Sequence, residues 1–229
     1  MTESGQGILD EQIAYYRARA PEYDEWFFRE GRYDLGEEHR RLWFAEVAEV
    51  EAALAAARPA GQVLELACGT GLWTRHLEPG ATRLTAVDAS PEAIALNHAR
   101  LRSGKVRYVA ADLFRWIPPT TSDFIFFGFW LSHVPEREFD AFWRRIKTAA
   151  GQTGTVFFVD SGSPNATAGE PEFLSEEVTA RRLKDGTTFR IVKVFYDAAE
   201  LAVRLSALGW SCEIKTTASF FLYGRLTPL

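Results

Sequence analysis

The chain has 229 residues, of which 47% are hydrophobic and 25% are charged, and its formal net charge is -5. This length and apolar content predict a single domain with a substantial core, and the net negative charge disfavours a polyanionic partner such as DNA or RNA. The two cysteines, Cys68 and Cys212, are far apart in sequence and therefore indicate neither a disulfide scaffold nor a zinc site.

The N-terminal residues 1–60 are predicted to form a helical lid. One candidate helix covers residues 8–19 and a second covers residues 37–57. The second has an apolar stripe at helical spacing, made of Trp43, Val47, Val50 and Leu54.

No stretch of the chain reaches the roughly 18 uncharged apolar residues that span a membrane. The N-terminus also lacks the basic and then apolar pattern of a signal peptide. We therefore expect a cytoplasmic protein without a membrane partner.

Residues 61–160 alternate short apolar runs with helical segments. Strands are predicted at 62–66, 83–87, 106–110, 123–128 and 154–159. Helices are predicted from about 71, at 91–101 and at 137–149, and Ser90 before Pro91 is a favourable helix start. Strands that alternate with helices imply right-handed crossovers and a mainly parallel sheet.

The pattern changes after residue 160. Residues 161–195 are predicted to be an inserted cap with a hairpin at Asp185-Gly186, in a position to cover the edge of the sheet. In residues 196–229, a helix that ends at Gly209 is followed by two short apolar runs, 211–217 and 219–226. Because too few residues separate these runs for a crossover helix, they must pair as an antiparallel hairpin.

The most informative motif is VLELACGTG, residues 63–71. A buried strand there leads into a turn with glycines two apart, which lets a ligand come close to the backbone where a helix begins. The next apolar run ends in Asp88, whose carboxylate can accept hydrogen bonds from both hydroxyls of a ribose. The third run is followed by Asp112. Polar groups at neighbouring strand ends form the ligand edge of open α/β folds.

At these residues the chain resembles the class I S-adenosylmethionine-dependent methyltransferases of the small-molecule type. In that family an acid, two residues and Cys-Gly-Thr-Gly close the first strand, and Glu65 to Gly71 match this pattern, with Ala67 where the family usually has glycine. The resemblance runs from residue 61 to the C-terminus. It implies an α/β fold with a Rossmann-like, seven-stranded, mostly parallel sheet, a reversed C-terminal strand and helices on both faces.

The resemblance also implies the cofactor, S-adenosylmethionine, and methyl transfer to an oxygen or nitrogen atom of a small-molecule acceptor. Glu65 and the turn after it would hold the methionine part, Asp88 the ribose, and Asp112 the adenine amino group. The cofactor-binding set is Tyr16, Arg19, Glu65, Ala67, Cys68, Gly69, Thr70, Gly71, Trp73, Asp88, Ala89, Asp112, Leu113, Phe129 and Trp130.

Several members of this set have a structural alternative. Phe129 and Trp130 either line the cationic sulfonium, which aromatic faces attract, or belong to the core. Tyr16 and Arg19, in a segment that resembles a family lid, would meet the cofactor carboxylate or the substrate, or simply pack against the fold. Asp88 has the alternative of capping the next helix.

His133 and Asp160 are the candidate catalytic residues. His133 follows the fourth strand, where an imidazole can take a proton from an oxygen or nitrogen nucleophile, or only open the next helix. Asp160 ends the fifth strand and would orient a hydroxyl or an amine of the acceptor, or cap a loop. No metal site is expected.

Three other functions stay open. A nicotinamide oxidoreductase would need glycine where Thr74 stands and would lack the reversed strand. A cyclase or lyase would use the same sulfonium for a reaction other than methyl transfer. A silent module would bind a cofactor or a partner without catalysis. Base or glutamine amide methylation is disfavoured, since GFWLSH replaces an Asn-Pro-Pro-Tyr motif after the fourth strand. The acceptor and the oligomeric state are open.

Overall fold

A computed structural model describes residues 3–162 and 172–229 of the chain. The helices in chain order are α1 Glu3–Arg19, α2 Tyr23–Phe28, α3 Glu37–Ala56, α4 Thr74–Leu77, α5 Pro91–Leu101, α6 Glu136–Ala150 and α7 Ala198–Ala207. In the described part of the chain, no helix combines the length and the apolar character that crossing a membrane requires.

Seven of the described strands form one sheet. The strands in chain order are β1 Gly61–Leu66, β2 Ala81–Asp88, β3 Val106–Ala110, β4 Phe124–Gly128, β5 Thr155–Ser161, β6 Glu172–Phe173, β7 Val178–Arg182, β8 Thr188–Val192, β9 Trp210–Thr216 and β10 Phe221–Pro228. The large sheet has the order β3-β2-β1-β4-β5-β10-β9. The pairs among β1 to β5 are parallel, whereas β10 is antiparallel to both β5 and β9. The Rossmann-like fold with a reversed C-terminal strand is therefore confirmed.

Both faces of the central strands are buried. In β4, Phe124 and Phe126 pack on one face, while Ile125 and Phe127 pack on the other. The first face is covered by α2 and α3, and the predicted apolar stripe of α3 is buried there. The second face is covered by α6 and α7. A sheet covered by helices on both faces explains why its strands read as continuous apolar runs.

The helix predicted from about residue 71 is shorter than expected, since α4 has only four residues. The preceding residues form a turn in which Gly69 and Gly71 take φ values of 51° and 90°. Positive φ values are incompatible with a right-handed helix, so the turn delays the helix start. By contrast, the predicted Ser90 cap is confirmed, because its Oγ accepts a hydrogen bond from Ala93 N at 3.0 Å.

The cap predicted from the insertion contains a second sheet, of order β6-β7-β8. Its β7–β8 turn holds Gly186 at φ 91°, as the Asp185-Gly186 pattern indicates. This sheet packs against α1: Ile8 and Leu9 contact Val192, and Tyr15 packs with Ile191. Residues 163–171 of the predicted insertion lie outside the described residues.

Trp43 joins the N-terminal helices to the C-terminal hairpin. Its ring is 5.5 Å from that of Trp26 and 4.6 Å from that of Phe221, and its Nε1 donates to Phe27 O at 2.9 Å. We expect Trp43→Ala to lower the free energy of unfolding by about 3–5 kcal/mol, because it leaves a large cavity and an unpaired carbonyl. Urea denaturation measures this loss.

The matched control is the neighbouring Leu42→Ala, since Leu42 is 40% exposed. Its cost should stay within about 0.5 kcal/mol. Equal losses in the two variants would contradict the central position of Trp43.

Candidate active site

Two adjoining cavities lie above the carboxyl ends of the parallel strands. The first, the strand-end cavity, lies between the ends of β1, β2 and β4 and helix α1, and it is lined by Gln12, Ile13, Tyr16, Ala20, Tyr23, Ala67, Gly69, Thr70, Asp88, Ala89, Ser90, Ala93, Asp112, Leu113, Gly128, Phe129, Trp130 and His133. The second, the cap cavity, lies between the N-terminal segment and the cap, and it is lined by Tyr15, Tyr16, Arg19, Tyr23, Trp26, Arg32, Tyr33, Phe129, His133, Ser161, Ala180, Arg181, Arg182, Thr188, Ile191 and Lys193. Tyr16, Tyr23, Phe129 and His133 belong to both walls.

The strand-end cavity has a floor of constrained backbone. Ala67 follows β1 at φ 52°, and Phe129 follows β4 at φ 55°. This left-handed region favours glycine, which explains why the family usually has glycine at the first of these positions. The packing around both residues holds the backbone in this conformation beside the cavity.

Asp88 fixes the turn after β1. Its Oδ2 accepts from Gly69 N at 2.9 Å and its Oδ1 from Ser90 N at 2.8 Å, and burial raises the pKa of the carboxyl group. The same side chain lines the cavity, so the carboxylate ties two strand ends together next to the space for a ligand.

Asn97 on α5 is a second support of this turn, and the sequence analysis missed it. Its Nδ2 donates to Thr74 Oγ1 at 2.8 Å and its Oδ1 accepts from Tyr108 Oη at 2.9 Å. A Cβ on Gly71 would lie 2.7 Å from Asn97 Oδ1, so Gly71 is required for packing and does not line the cavity. No sequence motif signals this contact.

Three further residues of the proposed cofactor set lie beneath the cavity and outside its wall. Cys68 and Trp73 belong to the core on one face of the sheet, and the Trp73 ring packs 5.6 Å from that of Phe126. Glu65 is 1% exposed, and burial raises the pKa of its carboxyl group to about 8. The side chains of Cys68 and Trp73 therefore pack beneath the floor and outside the described cavity wall.

Tyr16 and His133 meet where the two cavities join. His133 Nδ1 lies 2.6 Å from Val192 O, and a carbonyl only accepts, so Nδ1 carries the proton. Nε2 is therefore free to accept from the Tyr16 hydroxyl, at 2.7 Å. Burial and the nearby Lys193 ammonium hold the pKa of His133 well below its ordinary value of 6.5, so the imidazole is neutral at neutral pH.

The cap cavity is strongly cationic. Its volume of about 450 Å³ is in the range of small-molecule sites. It is lined by Arg19, Arg32, Arg181, Arg182 and Lys193, and among its described wall residues none is an acid. Glu22 pairs with Arg32 at 3.2 Å, and Asp160 lies 3.6 Å from Lys193. For the other three cations, the described residues supply no carboxylate ion pair.

The structure changes the expected positions of two candidate residues. Arg19 lies in the wall of the cap cavity and outside that of the strand-end cavity, which favours the substrate role over the cofactor role. Asp160 is 1% exposed and lines neither cavity, because the side chain of Lys193 lies over the end of β5. Asp160 therefore lies behind Lys193 and outside the described cavity walls.

Most of the cap-cavity wall was not predicted from the sequence. The residues in its wall that were not predicted include Tyr23, Tyr33, Arg181 and Lys193. Only Arg181 and Lys193 lie in a segment whose sequence signals a cationic site. Residues 181–193 carry five lysines and arginines within a predicted hairpin, a local density that the net charge of -5 conceals.

The polar groups around the strand-end cavity suit an adenosyl cofactor with a polar methionine end. Beneath its floor, Glu65 Oε2 is buried without a hydrogen-bond partner among the described residues, and so is Trp130 Nε1 in its wall. A Cβ placed on Gly69 would meet only open space and one backbone oxygen at 4.0 Å, so the backbone there is accessible. Unpaired buried polar atoms are costly and indicate a ligand that satisfies them.

Comparisons with known proteins identify the family. A family model described as a methyltransferase domain matches residues 63–154. A solved structure described as the DhpI-SAH complex is 40% identical, covering 97% of this chain and 98% of that chain with a TM-score of 0.81, and the DhpI-SAM-HEP complex gives the same values. A search of curated protein sequences finds no match.

A more distant structure shows the same fold. The N-methyltransferase NodS from Bradyrhizobium japonicum WM9, in complex with S-adenosyl-L-homocysteine, is 17% identical over 94% of this chain and 97% of that chain, with a TM-score of 0.61. The chain belongs to the S-adenosylmethionine-dependent methyltransferases, and S-adenosylmethionine is its cofactor.

We expect Asp88→Asn to weaken the binding of S-adenosylhomocysteine about tenfold or more, because it removes a charged acceptor from the cavity wall. Isothermal titration calorimetry measures the affinity, and urea denaturation shows whether the fold persists. The exposed Asp140→Asn on α6 is the control and should leave the affinity unchanged. Unchanged affinity in the Asp88 variant would remove this residue from the cofactor site.

Proposed function

We propose that this methyltransferase methylates an oxygen atom of a small acceptor that carries an oxyanion, such as a carboxylate or a phosphate-like group. The observation that carries the proposal is the cap cavity, with five cationic side chains and no acid among its described wall residues. Guanidinium groups match the geometry of such oxyanions, and the buried Arg19 is a cation without a carboxylate ion pair among the described residues, which favours an anionic ligand.

The two cavities divide the substrates between them. In this proposal the strand-end cavity holds the cofactor and the cap cavity holds the acceptor, and Tyr16, Tyr23, Phe129 and His133 border both. The solved structure described as the DhpI-SAM-HEP complex names a second compound in addition to SAM for that relative. Aromatic faces at the junction attract a cationic sulfonium.

The protein's part in the reaction is alignment and exclusion of water. S-adenosylmethionine, when bound, supplies the methyl group. Methylation of an oxyanion removes no proton from the acceptor, so it needs no general base. This agrees with an imidazole whose pKa lies well below 6.5 and whose Nε2 already accepts from Tyr16.

We therefore propose that His133 acts by orienting Tyr16. Its Nδ1 donates to Val192 O in the cap, and its Nε2 holds the Tyr16 hydroxyl of α1 at the cavity junction. Gln12 adds a second link, since its Oε1 accepts from Val192 N at 3.0 Å and its Nε2 donates to His133 O at 3.3 Å. The lid and the cap are thus joined at the junction.

The acceptor class is tested with matched compounds of equal size, each anion paired with its neutral amide or alcohol. Formation of S-adenosylhomocysteine is expected with the anions alone. Arg181→Met should raise the KM of an anionic acceptor about tenfold or more, because it removes a charged hydrogen-bond donor. Its effect on the Kd of S-adenosylhomocysteine should be small.

The control for this variant is Arg144→Met, whose side chain is 68% exposed on α6. It should change neither constant. Turnover of neutral alcohols or amines in preference to the anions would contradict the proposed acceptor class.

A second prediction concerns the Tyr16–His133 pair. Tyr16→Phe and His133→Ala should each lower kcat about tenfold, and the double variant should lose little more, because both changes remove the same interaction. Steady-state kinetics measure the three losses. His98→Ala, on the exposed side of α5, is the control. A much larger loss in His133→Ala than in Tyr16→Phe would show that the imidazole acts directly.

A further inference from the structure

Lys193 is a buried cation in the wall of the cap cavity. It follows β8, and its side chain is 5% exposed. Its Nζ donates to Ser132 Oγ at 2.8 Å and to Ser161 Oγ at 3.1 Å, and it lies 3.6 Å from Asp160 Oδ1. An ammonium group has three donor positions, and the two serine hydroxyls take two of them, which fixes its direction beside the cavity.

Asp160 is fixed as firmly as the lysine. Its Oδ2 accepts from Ser132 N at 2.9 Å, and its Oδ1 accepts from Ser161 N at 2.7 Å. The same two serines thus donate their backbone N–H groups to Asp160 and accept from Lys193 through their hydroxyls. Of this group, Lys193 and Ser161 reach the cap cavity, and Asp160 lies behind them.

We propose that Asp160 is a positioning residue for the anionic acceptor, because it keeps the Lys193 ammonium charged and in place at the wall of the cap cavity. This inference rests on the proposed function, since it needs an anionic occupant of that cavity. Asp160 acts through Lys193 and touches neither the acceptor nor the cofactor.

The charges around Lys193 explain why a carboxylate is needed. Asp160 faces it from β5, His133 from the segment after β4, Arg181 from β7 and Arg19 from α1. Burial lowers the pKa of Lys193 to about 8, with the attraction of Asp160 opposing this shift and the two arginines adding to it. His133 is neutral, so Asp160 is the one negative charge in this described group.

The sign of the pH dependence follows from the folded protein. Below about pH 8 the lysine is charged and attracts an anion, and above it the charge and the attraction are lost. Replacing the carboxylate by an amide removes the stabilisation of the ammonium and moves this loss to lower pH.

The test uses sulfate as the probe, because it keeps its two charges across the whole range and accepts no methyl group in the binding assay. Calorimetry measures sulfate affinity for the protein saturated with S-adenosylhomocysteine, between about pH 6 and pH 10. The parent protein should bind sulfate and lose affinity above about pH 8. In Asp160→Asn the loss should begin about one pH unit lower or more, so that affinity at pH 7.5 falls about threefold or more and recovers towards pH 6.

Lys193→Met is the second variant. It should bind sulfate weakly, without the change in affinity between pH 6 and pH 9, and adding Asp160→Asn should have no further effect. The exposed pair Glu213 and Lys215, 2.7 Å apart, provides the controls Glu213→Gln and Lys215→Met, which should match the parent.

Three results would overturn the inference: no sulfate binding to the parent, an equal loss in Asp160→Asn at every pH, or a retained pH dependence in Lys193→Met. The last readout holds even where Asp160→Asn fails to fold. A parent that shows the expected sulfate profile but methylates no anion would refute the proposed function alone, whereas methylation of anions without that profile would refute this inference alone.

Discussion

The hydrogen-bond chain from Tyr16 through His133 to the Val192 carbonyl determines how the other parts of the site are arranged. It joins α1, the segment after β4 and the cap strand β8 at the point where the two cavities meet. Both nitrogens of the imidazole are occupied, so the ring has one tautomer and one direction. Helix α1, the sheet edge and the cap are consequently held together where the two cavities meet.

The distribution of charge distinguishes the two cavities. The chain as a whole is acidic, yet its cap cavity gathers cations from the lid and the cap. Burying a cation costs free energy unless a counter-charge is near, and the described residues provide counter-charges mainly to Lys193 and Arg32. The remaining positive field is available to an anionic acceptor. Net charge therefore argues against a polyanionic macromolecule without describing the small-molecule site.

Much of the fold could be predicted from local pattern. The apolar runs identify the strands because both faces of the sheet are covered, and the short spacing before residue 219 forces the antiparallel hairpin. The rule that polar groups at neighbouring strand ends share one edge of a parallel sheet correctly places Asp88 and Asp112 at one cavity. The rule says which edge a side chain reaches, and it does not say what covers that edge.

What the sequence could not show follows from this limit. Asp160 also ends a parallel strand, but Lys193 from the cap lies over it, and this contact joins residues far apart in sequence. Arg19 points into the cap cavity because three tyrosine rings, Tyr15, Tyr23 and Tyr33, surround its guanidinium. The Asn97 contact that requires Gly71 is also tertiary. Side-chain surroundings of this kind depend on packing between helices and strands. The periodicity of apolar residues and the spacing of motifs do not predict that packing.

The most direct test of the account is a crystal structure of the protein with S-adenosylhomocysteine and sulfate. We expect S-adenosylhomocysteine in the strand-end cavity, sulfate in the cap cavity within hydrogen-bond distance of Lys193 Nζ, and the Tyr16–His133 contact between them. Density for S-adenosylhomocysteine in the cap cavity, or sulfate bound only outside it, would contradict the division of the site into a cofactor half and an anion half.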